Sequence, residues 1–329
     1  MKLSSIKVPR SYVVISSLGA GFGGIVLLKD YLGGKKFDDD NQDMYGKSVI
    51  VTGANSGIGK QTARLLSKKG ARVIMACRNI DACTAAREEI YDETINPSLE
   101  CRELNLASSQ SIRKFVDQIK REKRNVDVLI NNAGTMCGPR DTTNDGFEWQ
   151  LGVNYLGPFL LTLLLLDKLK ASPQGRIINV VSPFFKKSEI NFDDLNSVET
   201  YQPKIAYGQS KLALVLFSQE LARRLEGTKV TVNCVNPGVC KTSISRHLPV
   251  SQSMLGGLVT PILWVFCKSA FQGAQTPVFL AVDTSLDKTT GKYFSDMKED
   301  KLSENALDEK VAQRLWMISE KWTKLNTSL

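Results

Sequence analysis

The chain has 329 residues, of which 42% are hydrophobic, and a formal net charge of +9. This length and composition allow one large core, and the repeated strand and helix signals favour a single α/β domain with a short anchor over two domains. The basic residues are spread along the chain without an arginine-rich arm, so nucleic-acid binding is not expected; an anionic membrane surface or a phosphorylated cofactor explains the charge equally well.

Residues 1–45 read as a hydrophobic anchor and linker. Residues 12–28 are uncharged and apolar, at the lower limit of length for a spanning helix. An uncleaved membrane anchor, a cleaved secretory signal and a mitochondrial targeting or interfacial segment are all open. The seven cysteines occur singly, which predicts neither a disulfide framework nor a zinc site, favours a reducing compartment and argues against secretion. We expect association with the mitochondrial inner membrane or the endoplasmic reticulum.

A glycine-rich turn follows the apolar residues 48–51, and a helix-like segment follows the turn. Its sequence is Thr52, Gly53, Ala54, Asn55, Ser56, Gly57, Ile58 and Gly59. A phosphate can approach a backbone turn closely only where side chains are absent, and a helix that begins there directs its unpaired N–H groups and its positive dipole end at the anion. The spacing of the first two glycines departs from the usual dinucleotide fingerprint, but the turn still predicts a nucleotide site.

The next two strands bear on the adenosine half of a dinucleotide. Residues 71–76 predict a strand, and Arg78 follows it, where an acid would hold a ribose 2′-hydroxyl and an arginine a 2′-phosphate. The lack of an acid favours NADP(H) over NAD(H), unless Arg78 is only a solvated loop charge. Residues 81–94 predict a helix capped by Asp81, and a strand at 99–104 leads to Asn105, whose amide oxygen can accept a hydrogen bond.

The alternation of strands and helices continues to about residue 235. A helix at 108–121 leads to a strand at 126–130, and this strand ends in Asn131, Asn132, Ala133 and Gly134. Residues 156–169 are apolar but contain Pro158, and they predict a buried central helix rather than a membrane span. A strand at 176–181, a helix at 207–226 and a strand at 230–235 follow. This cadence predicts an α/β fold with a doubly wound parallel sheet.

The candidate catalytic residues lie at the ends of these elements. Tyr207 and Lys211 are four residues apart on one predicted helix, so their side chains share a face. A phenol, with a pKa of about 10, carries protons poorly at neutral pH, and a nearby ammonium lowers the pKa of a phenol. Ser182 is placed to donate a hydrogen bond to a substrate oxygen, and Asn154 would complete a proton path through water. The single histidine, His247, leaves no Ser-His-Asp triad and no histidine-based metal site.

The ordered motifs resemble those of the short-chain dehydrogenase/reductase family over about residues 46–294. The chain is similar in more detail to the membrane-anchored retinol dehydrogenase branch of that family. The stretches that carry the closer resemblance are LLKDY at 27–31, VIVTGANSGIGKQTA at 49–63, ACRN at 76–79, DGFEWQLGVNYLG at 145–157, LLLDKLKAS at 164–172, FDDLN at 192–196 and QSKLALVLF at 209–217.

The resemblance implies a Rossmann-type catalytic domain over residues 46–296, NADP(H) as the cofactor and a homodimer. It implies that Tyr207 is the acid and base, that Lys211 binds the nicotinamide ribose, that Ser182 polarises the carbonyl and that Asn154 holds a water. The implied cofactor contacts are Gly53, Asn55, Ser56, Gly57, Ile58, Gly59, Arg78, Asn105, Asn132, Ala133, Gly134, Tyr207, Lys211, Pro237, Gly238 and Thr242. Residues 297–329 predict a C-terminal amphipathic helix.

Two departures from the family pattern put the substrate in question. Relatives usually have two serines at the end of the fifth strand, where this chain has Val181, Ser182 and Pro183; they have Asn-His-Leu-Gly-His where this chain has the run that begins at Asn154 and ends at Pro158. Residues 254–267 predict either a substrate lid at the membrane surface or a plain packed helix.

Two functions follow from the sequence as hypotheses. The first is NADP(H)-dependent hydride transfer with a lipophilic alcohol or carbonyl, with retinal and retinol as the favoured pair and a steroid or a medium-chain aldehyde as alternatives. The second is a membrane-bound nucleotide-binding scaffold with little catalysis, which the replacements beside Ser182 motivate.

Overall fold

The computed structural model of this chain describes residues 36–37, 43–122, 124–136, 138–240 and 267–325. Its centre is an eight-stranded sheet in the order β3-β2-β1-β4-β5-β6-β7-β8. The strands are β1 (Ser48–Thr52), β2 (Arg72–Cys77), β3 (Leu99–Glu103), β4 (Val128–Asn131), β5 (Gly175–Val180), β6 (Val230–Asn236), β7 (Lys292–Ser295) and β8 (Lys298–Asp300).

Strands β1 to β7 are parallel, and β8 pairs antiparallel with β7. The strand order changes direction between β1 and β4, and the carboxyl ends at such a switch point form the crevice in which α/β sheets bind ligands. The predicted doubly wound parallel sheet is confirmed.

Helices cover both faces of the sheet. They are α1 (Gly57–Lys68), α2 (Ile80–Thr94), α3 (Ser109–Arg121), α4 (Trp149–Leu151), α5 (Gly157–Leu164), α6 (Leu166–Lys170), α7 (Pro203–Arg224), α8 (Ala270–Val282) and α9 (Glu309–Thr323), with a π-helical turn at Gly152–Leu156 between α4 and α5. Residues of α1, α2 and α8 share one hydrophobic core, and residues of α3, α5, α7 and α9 share the other.

The strands supply both cores through their alternation of side chains. In β1, Val49 and Val51 belong to the core beneath α1, α2 and α8, whereas Ile50 belongs to the opposite core. Successive side chains of a strand point to opposite faces, and a sheet covered on both faces therefore needs continuous apolar strands. This explains the unbroken apolar runs in the sequence at 49–51 of β1, 73–77 of β2 and 128–130 of β4.

Three predicted elements differ in detail. Asn79, rather than Asp81, caps α2, because its Oδ1 accepts a hydrogen bond from the Ala82 N–H at 2.8 Å. The apolar residues 156–169 divide between α5 and α6. The terminal amphipathic helix begins only at Glu309, because residues 298–300 pair with β7 and extend the sheet.

The spacing of the cysteines predicted no disulfide framework, but one pair of cysteines forms a disulfide. Cys83 of α2 and Cys101 of β3 form a disulfide. The two residues are 18 positions apart, without the spacing of a recognisable motif, and they meet because α2 packs against β3. The inference of a reducing compartment loses the support that it drew from cysteine spacing.

None of the helices in the described ranges combines the length and the apolar character that a membrane crossing needs. The predicted anchor at residues 12–28 and most of the segment at 254–267 lie outside those ranges.

Candidate active site

The glycine-rich turn joins β1 to α1 at the switch point of the sheet. Gly53 and Gly57 have φ angles of 65° and 56°, in the left-handed region that favours glycine. A Cβ on Gly59 would lie 2.5 Å from the Gly53 carbonyl oxygen and closer still to the Asn132 amide nitrogen, so no side chain fits there. The Ser56 side chain makes no capping hydrogen bond, which leaves the first N–H groups of α1 to an anion. The turn therefore fits a phosphate.

Thr52 ties this turn to the segment that follows β4. Its hydroxyl accepts hydrogen bonds from the N–H groups of Asn132 and Ala133 at 3.0 and 2.9 Å. The Asn132 Nδ2 donates in turn to the Thr52 carbonyl at 2.8 Å. Gly134 follows and lines the same cavity as the turn. The two motifs found separately in the sequence thus form one structure.

A cavity of about 440 Å³ lies between the turn and the carboxyl ends of β2, β3 and β4. Among the described residues that line it, Arg78 has the one charged side chain, and no carboxylate is present. The Asn105 amide oxygen accepts a hydrogen bond from the Ala107 N–H at 3.0 Å and, with its second lone pair, can still accept one from a ligand. The cavity fits the adenosine half of a dinucleotide, and its single charge suits an added phosphate.

Trp149 lines this cavity and was missed by the sequence reasoning. It is the first residue of α4, and its ring centre lies 5.9 Å from the Arg78 Cζ. The stretch 145–157 contains it, but no spacing rule connects a residue of that stretch to the end of β2. Only the packing of α4 beside the cavity reveals the contact.

Tyr207 and Lys211 lie one turn apart on α7, and each is only 4% exposed. The Lys211 Nζ donates a hydrogen bond to the Val180 carbonyl at 3.1 Å and lies 5.9 Å from the centre of the Tyr207 ring. Burial lowers the pKa of Lys211 from its ordinary value of 10.5 to about 8. The predicted shared face of these two residues is present.

Ser182 lies between two residues that contact this pair, Val180 and Phe184. It follows β5 two residues after Val180 and precedes the 3-10 turn Pro183–Lys187. Phe184 in that turn contacts Tyr207 edge to face, with ring centres 5.6 Å apart. The end of β5 thus brings a hydroxyl, a phenol and an ammonium to one place.

Asn154 lies in the π-helical turn and is completely buried. Its Oδ1 accepts a hydrogen bond from the Thr135 N–H at 2.8 Å, and its Nδ2 donates to the Thr135 carbonyl at 2.9 Å and to the Ser210 Oγ at 3.0 Å. Both amide hydrogens are therefore in use. The backbone carbonyl of Asn154 lacks its usual α-helical donor four residues later, because Pro158 has no N–H.

A buried chain of polar side chains lies behind the site. The Asn131 Nδ2 donates to the Thr162 Oγ1 at 3.0 Å and to the Asn179 Oδ1 at 2.8 Å, and the Asn179 Nδ2 donates to the Ser218 Oγ at 2.8 Å. These bonds connect β4 and β5 with α5 and α7. Of these four residues, only Asn131 belongs to a motif that is recognisable in the sequence, the segment that ends the strand before Gly134.

Pro237 and Gly238 follow β6. The Gly238 N–H donates a hydrogen bond to the Asn236 Oδ1 at 2.9 Å, and its φ is 82°. A Cβ on Gly238 would lie 2.8 Å from the Lys268 Cδ. Thr242 lies outside the described residues.

Comparison with known proteins identifies relatives of this chain. Residues 47–252 match the family model described as short chain dehydrogenase. Retinol dehydrogenase 13 of Mus musculus is 48% identical over 312 residues, which cover 94% of this chain and 93% of that protein. Retinol dehydrogenase 12 of Homo sapiens is 45% identical over 279 residues, which cover 85% of this chain and 87% of that protein.

Solved structures show the same fold. The crystal structure of an uncharacterised protein from Mycobacterium paratuberculosis has a TM-score of 0.72 and 34% identity, over 90% of this chain and all (100%) of that one. A short-chain dehydrogenase from Shigella flexneri, complexed with NADP, has a TM-score of 0.61 and 23% identity, over 78% of this chain and 100% of its own. The predicted resemblance is confirmed: the chain is an oxidoreductase that belongs to the short-chain dehydrogenase/reductase family, in its retinol dehydrogenase branch.

Proposed function

We propose that this chain transfers hydride between NADP(H) and a lipophilic carbonyl or alcohol, with retinal and retinol as the favoured pair. The observation that carries the proposal is the buried pair of Tyr207 and Lys211 at the end of β5, beside Ser182. The similarity to retinol dehydrogenase 13 supports the retinoid substrate, and the NADP complex of the Shigella protein supports the cofactor.

Each residue of this group has a distinct role in the reduction of a carbonyl. Ser182 donates a hydrogen bond to the carbonyl oxygen and polarises it. Tyr207 transfers its phenolic proton to that oxygen, and it recovers the proton in the reverse direction. Lys211, which is mostly protonated at pH 7 with a pKa of about 8, binds the nicotinamide ribose and stabilises negative charge on the Tyr207 oxygen. NADPH, when bound, supplies hydride to the carbonyl carbon, so that the product is the alcohol.

Asn154 acts through its backbone in this proposal. Its side-chain amide holds Thr135 and Ser210, and the Ser210 Oγ donates to the Tyr207 carbonyl at 2.7 Å, so the amide fixes α7 against the loop after β4. The backbone carbonyl, which receives no hydrogen bond from Pro158, would accept one from a water. That water would return a proton to Tyr207 after each turnover.

The remaining contacts of the cofactor divide along its length. The pyrophosphate would lie on the turn formed by Gly53, Asn55, Ser56, Gly57, Ile58 and Gly59, and the 2′-phosphate beside Arg78. The adenosine would pass Asn105, and the segment Asn132, Ala133 and Gly134 would back it. Pro237, Gly238 and Thr242 would lie along the nicotinamide end.

Apolar surface near the chemistry supports a lipophilic substrate. Phe184, which contacts Tyr207, is 45% exposed, and Val239, just after Gly238, is 71% exposed. Exposed apolar side chains around a polar centre are typical of a site for an apolar ligand. Membrane association through residues 12–28, at the mitochondrial inner membrane or the endoplasmic reticulum, belongs to the same proposal, as does a homodimer.

The test is NADPH oxidation by the full chain in detergent with all-trans-retinal. Turnover should be present, and Tyr207→Phe should abolish it while NADPH still binds. Tyr91→Phe, a change at a half-exposed tyrosine of α2, should leave turnover unaltered and serves as the control. If NADPH binds but retinal, medium-chain aldehydes and steroid ketones all fail to react, the proposal is refuted and a nucleotide-binding scaffold is favoured.

A further inference from the structure

The contact between Arg78 and Trp149 joins two elements that are fixed independently. Arg78 follows β2 directly, and the next residue, Asn79, caps α2. Trp149 begins α4, where its N–H donates to the Asp141 carbonyl at 2.9 Å and the buried Glu148 carboxylate accepts the next two N–H groups of the helix at 2.8 and 2.7 Å. The backbones of both residues are therefore set before any ligand arrives.

The side chain of Arg78 has no comparable support from acidic groups. The ion pairs found in the described part of the chain do not include it, and its side chain is exposed. An unsupported arginine must give up rotamer freedom when it binds a phosphate. The centre of the Trp149 indole ring lies 5.9 Å from the Arg78 Cζ, and the face of the ring attracts the guanidinium. This attraction restricts the rotamers of Arg78 before a phosphate binds.

We propose that Trp149 is a cofactor-specificity residue, which holds the Arg78 guanidinium at the rim of the adenosine cavity and so strengthens recognition of a 2′-phosphate. This inference rests on the proposed use of NADP(H). An indole that merely formed a wall against adenine would favour phosphorylated and unphosphorylated nucleotides equally. An indole that acts through Arg78 favours only the nucleotide with the 2′-phosphate.

Binding of two adenosine nucleotides distinguishes an indole that only contacts adenine from one that acts through Arg78, and the measurement needs no catalysis. Adenosine 2′,5′-bisphosphate carries the added phosphate and adenosine 5′-monophosphate lacks it. Isothermal titration calorimetry on the full chain in detergent would give Kd for both, with wild type, Trp149→Leu, Trp149→Phe, Arg78→Ala and the double variant. Trp322→Leu is the matched control, because Trp322 is also half-buried but stacks on Phe147 instead. A thermal melt of each variant checks its folding.

Trp149→Leu should weaken binding of the bisphosphate by roughly two- to fivefold, the range for a partly exposed cation–π contact, and leave the monophosphate unchanged. Trp149→Phe should fall between it and wild type, because phenylalanine offers a weaker π face. In the Arg78→Ala background the tryptophan change should have no further effect on the preference. Equal weakening of both nucleotides, or no weakening, would overturn the inference while the proposed function stands. A wild-type chain without any preference for the bisphosphate would overturn the proposed NADP(H) specificity as well.

Discussion

Replacement of Lys211 by methionine should stabilise the cofactor-free protein while it removes the activity. The folded protein holds this ammonium in a buried site, where the pKa falls from 10.5 to about 8 because the charge has lost its water. The difference, 10.5 minus about 8, corresponds to about 3 kcal/mol of unfavourable free energy for the charged form. Methionine has a similar length and no charge, so it avoids this penalty.

The stabilisation by methionine should be smaller than the free-energy cost of burying the charged lysine, because Lys211 also forms a hydrogen bond that the variant loses. The Nζ donates to the Val180 carbonyl, and loss of such a bond with a charged donor costs about 1.5 kcal/mol or more. The net stabilisation at pH 7 should then be about 1–2 kcal/mol. For a chain of this size, that corresponds to a rise in Tm of roughly 2–8 °C.

The difference in stability between wild type and the methionine variant should also depend on pH. The folded pKa of Lys211 is depressed, so between about pH 8 and pH 10.5 the unfolded chain binds more protons than the folded one, and the stability of wild type rises with pH. Below about pH 8 the penalty is complete. Between pH 7 and pH 9 the advantage of the methionine variant should therefore shrink by about 1 kcal/mol.

Thermal melts of the cofactor-free chain at pH 7 and pH 9 would measure this difference in stability. Lys204→Met is the control, because Lys204 is an exposed lysine on the same helix and should show neither the gain nor its pH dependence. Addition of NADPH should raise the Tm of wild type more than that of the variant, since Lys211 is proposed to bind the ribose. A variant that melts below wild type at pH 7, or a difference that is the same at both pH values, would refute the argument.

Three further changes test other parts of the site. Ser182→Ala should lower kcat for the carbonyl substrate by about 10²- to 10³-fold with unchanged Kd for NADPH in titration calorimetry; a matching loss of NADPH binding would contradict its assigned role. Gly59→Ala should abolish NADPH binding in the same assay, whereas Gly138→Ala, with open space around the added Cβ, should preserve it; equal binding by both variants would count against the close packing of the turn. Tyr155→Phe removes a buried hydrogen bond of 2.6 Å to Ser319 of α9 and should destabilise the protein by about 1 kcal/mol; an unchanged Tm would show that this bond contributes nothing.

The sequence predicted the parts of the site that depend on local patterns. The glycine turn, the segment after β4 and the spacing of Tyr207 and Lys211 each need particular residues within a few positions, because backbone geometry or a shared helix face demands them. The apolar runs of the strands were equally readable, since a sheet covered on both faces leaves few polar positions.

The features that the sequence did not predict depend on contacts between distant elements. Trp149 reaches Arg78 only after α4 is placed beside the end of β2. Cys83 meets Cys101 only after α2 packs on β3. The segment at 298–300 has helix-like spacing but forms β8, because the edge of β7 offers it unpaired backbone groups. In each case tertiary packing, rather than residue spacing, decides the outcome.

The burial of α7 within one chain has a consequence for the assembly. Residues 206–218 of this helix are all buried, and on one side α9 covers it, with Trp316 packed against Phe217. A second copy could not pack there unless it displaced α9, so a homodimer would have to form through another surface. The dehydration that lowers the pKa of Lys211 therefore comes from this chain's own packing. Activity per chain should then be independent of protein concentration, and a fall in specific activity on dilution, with detergent and cofactor held constant, would show that the site needs a partner.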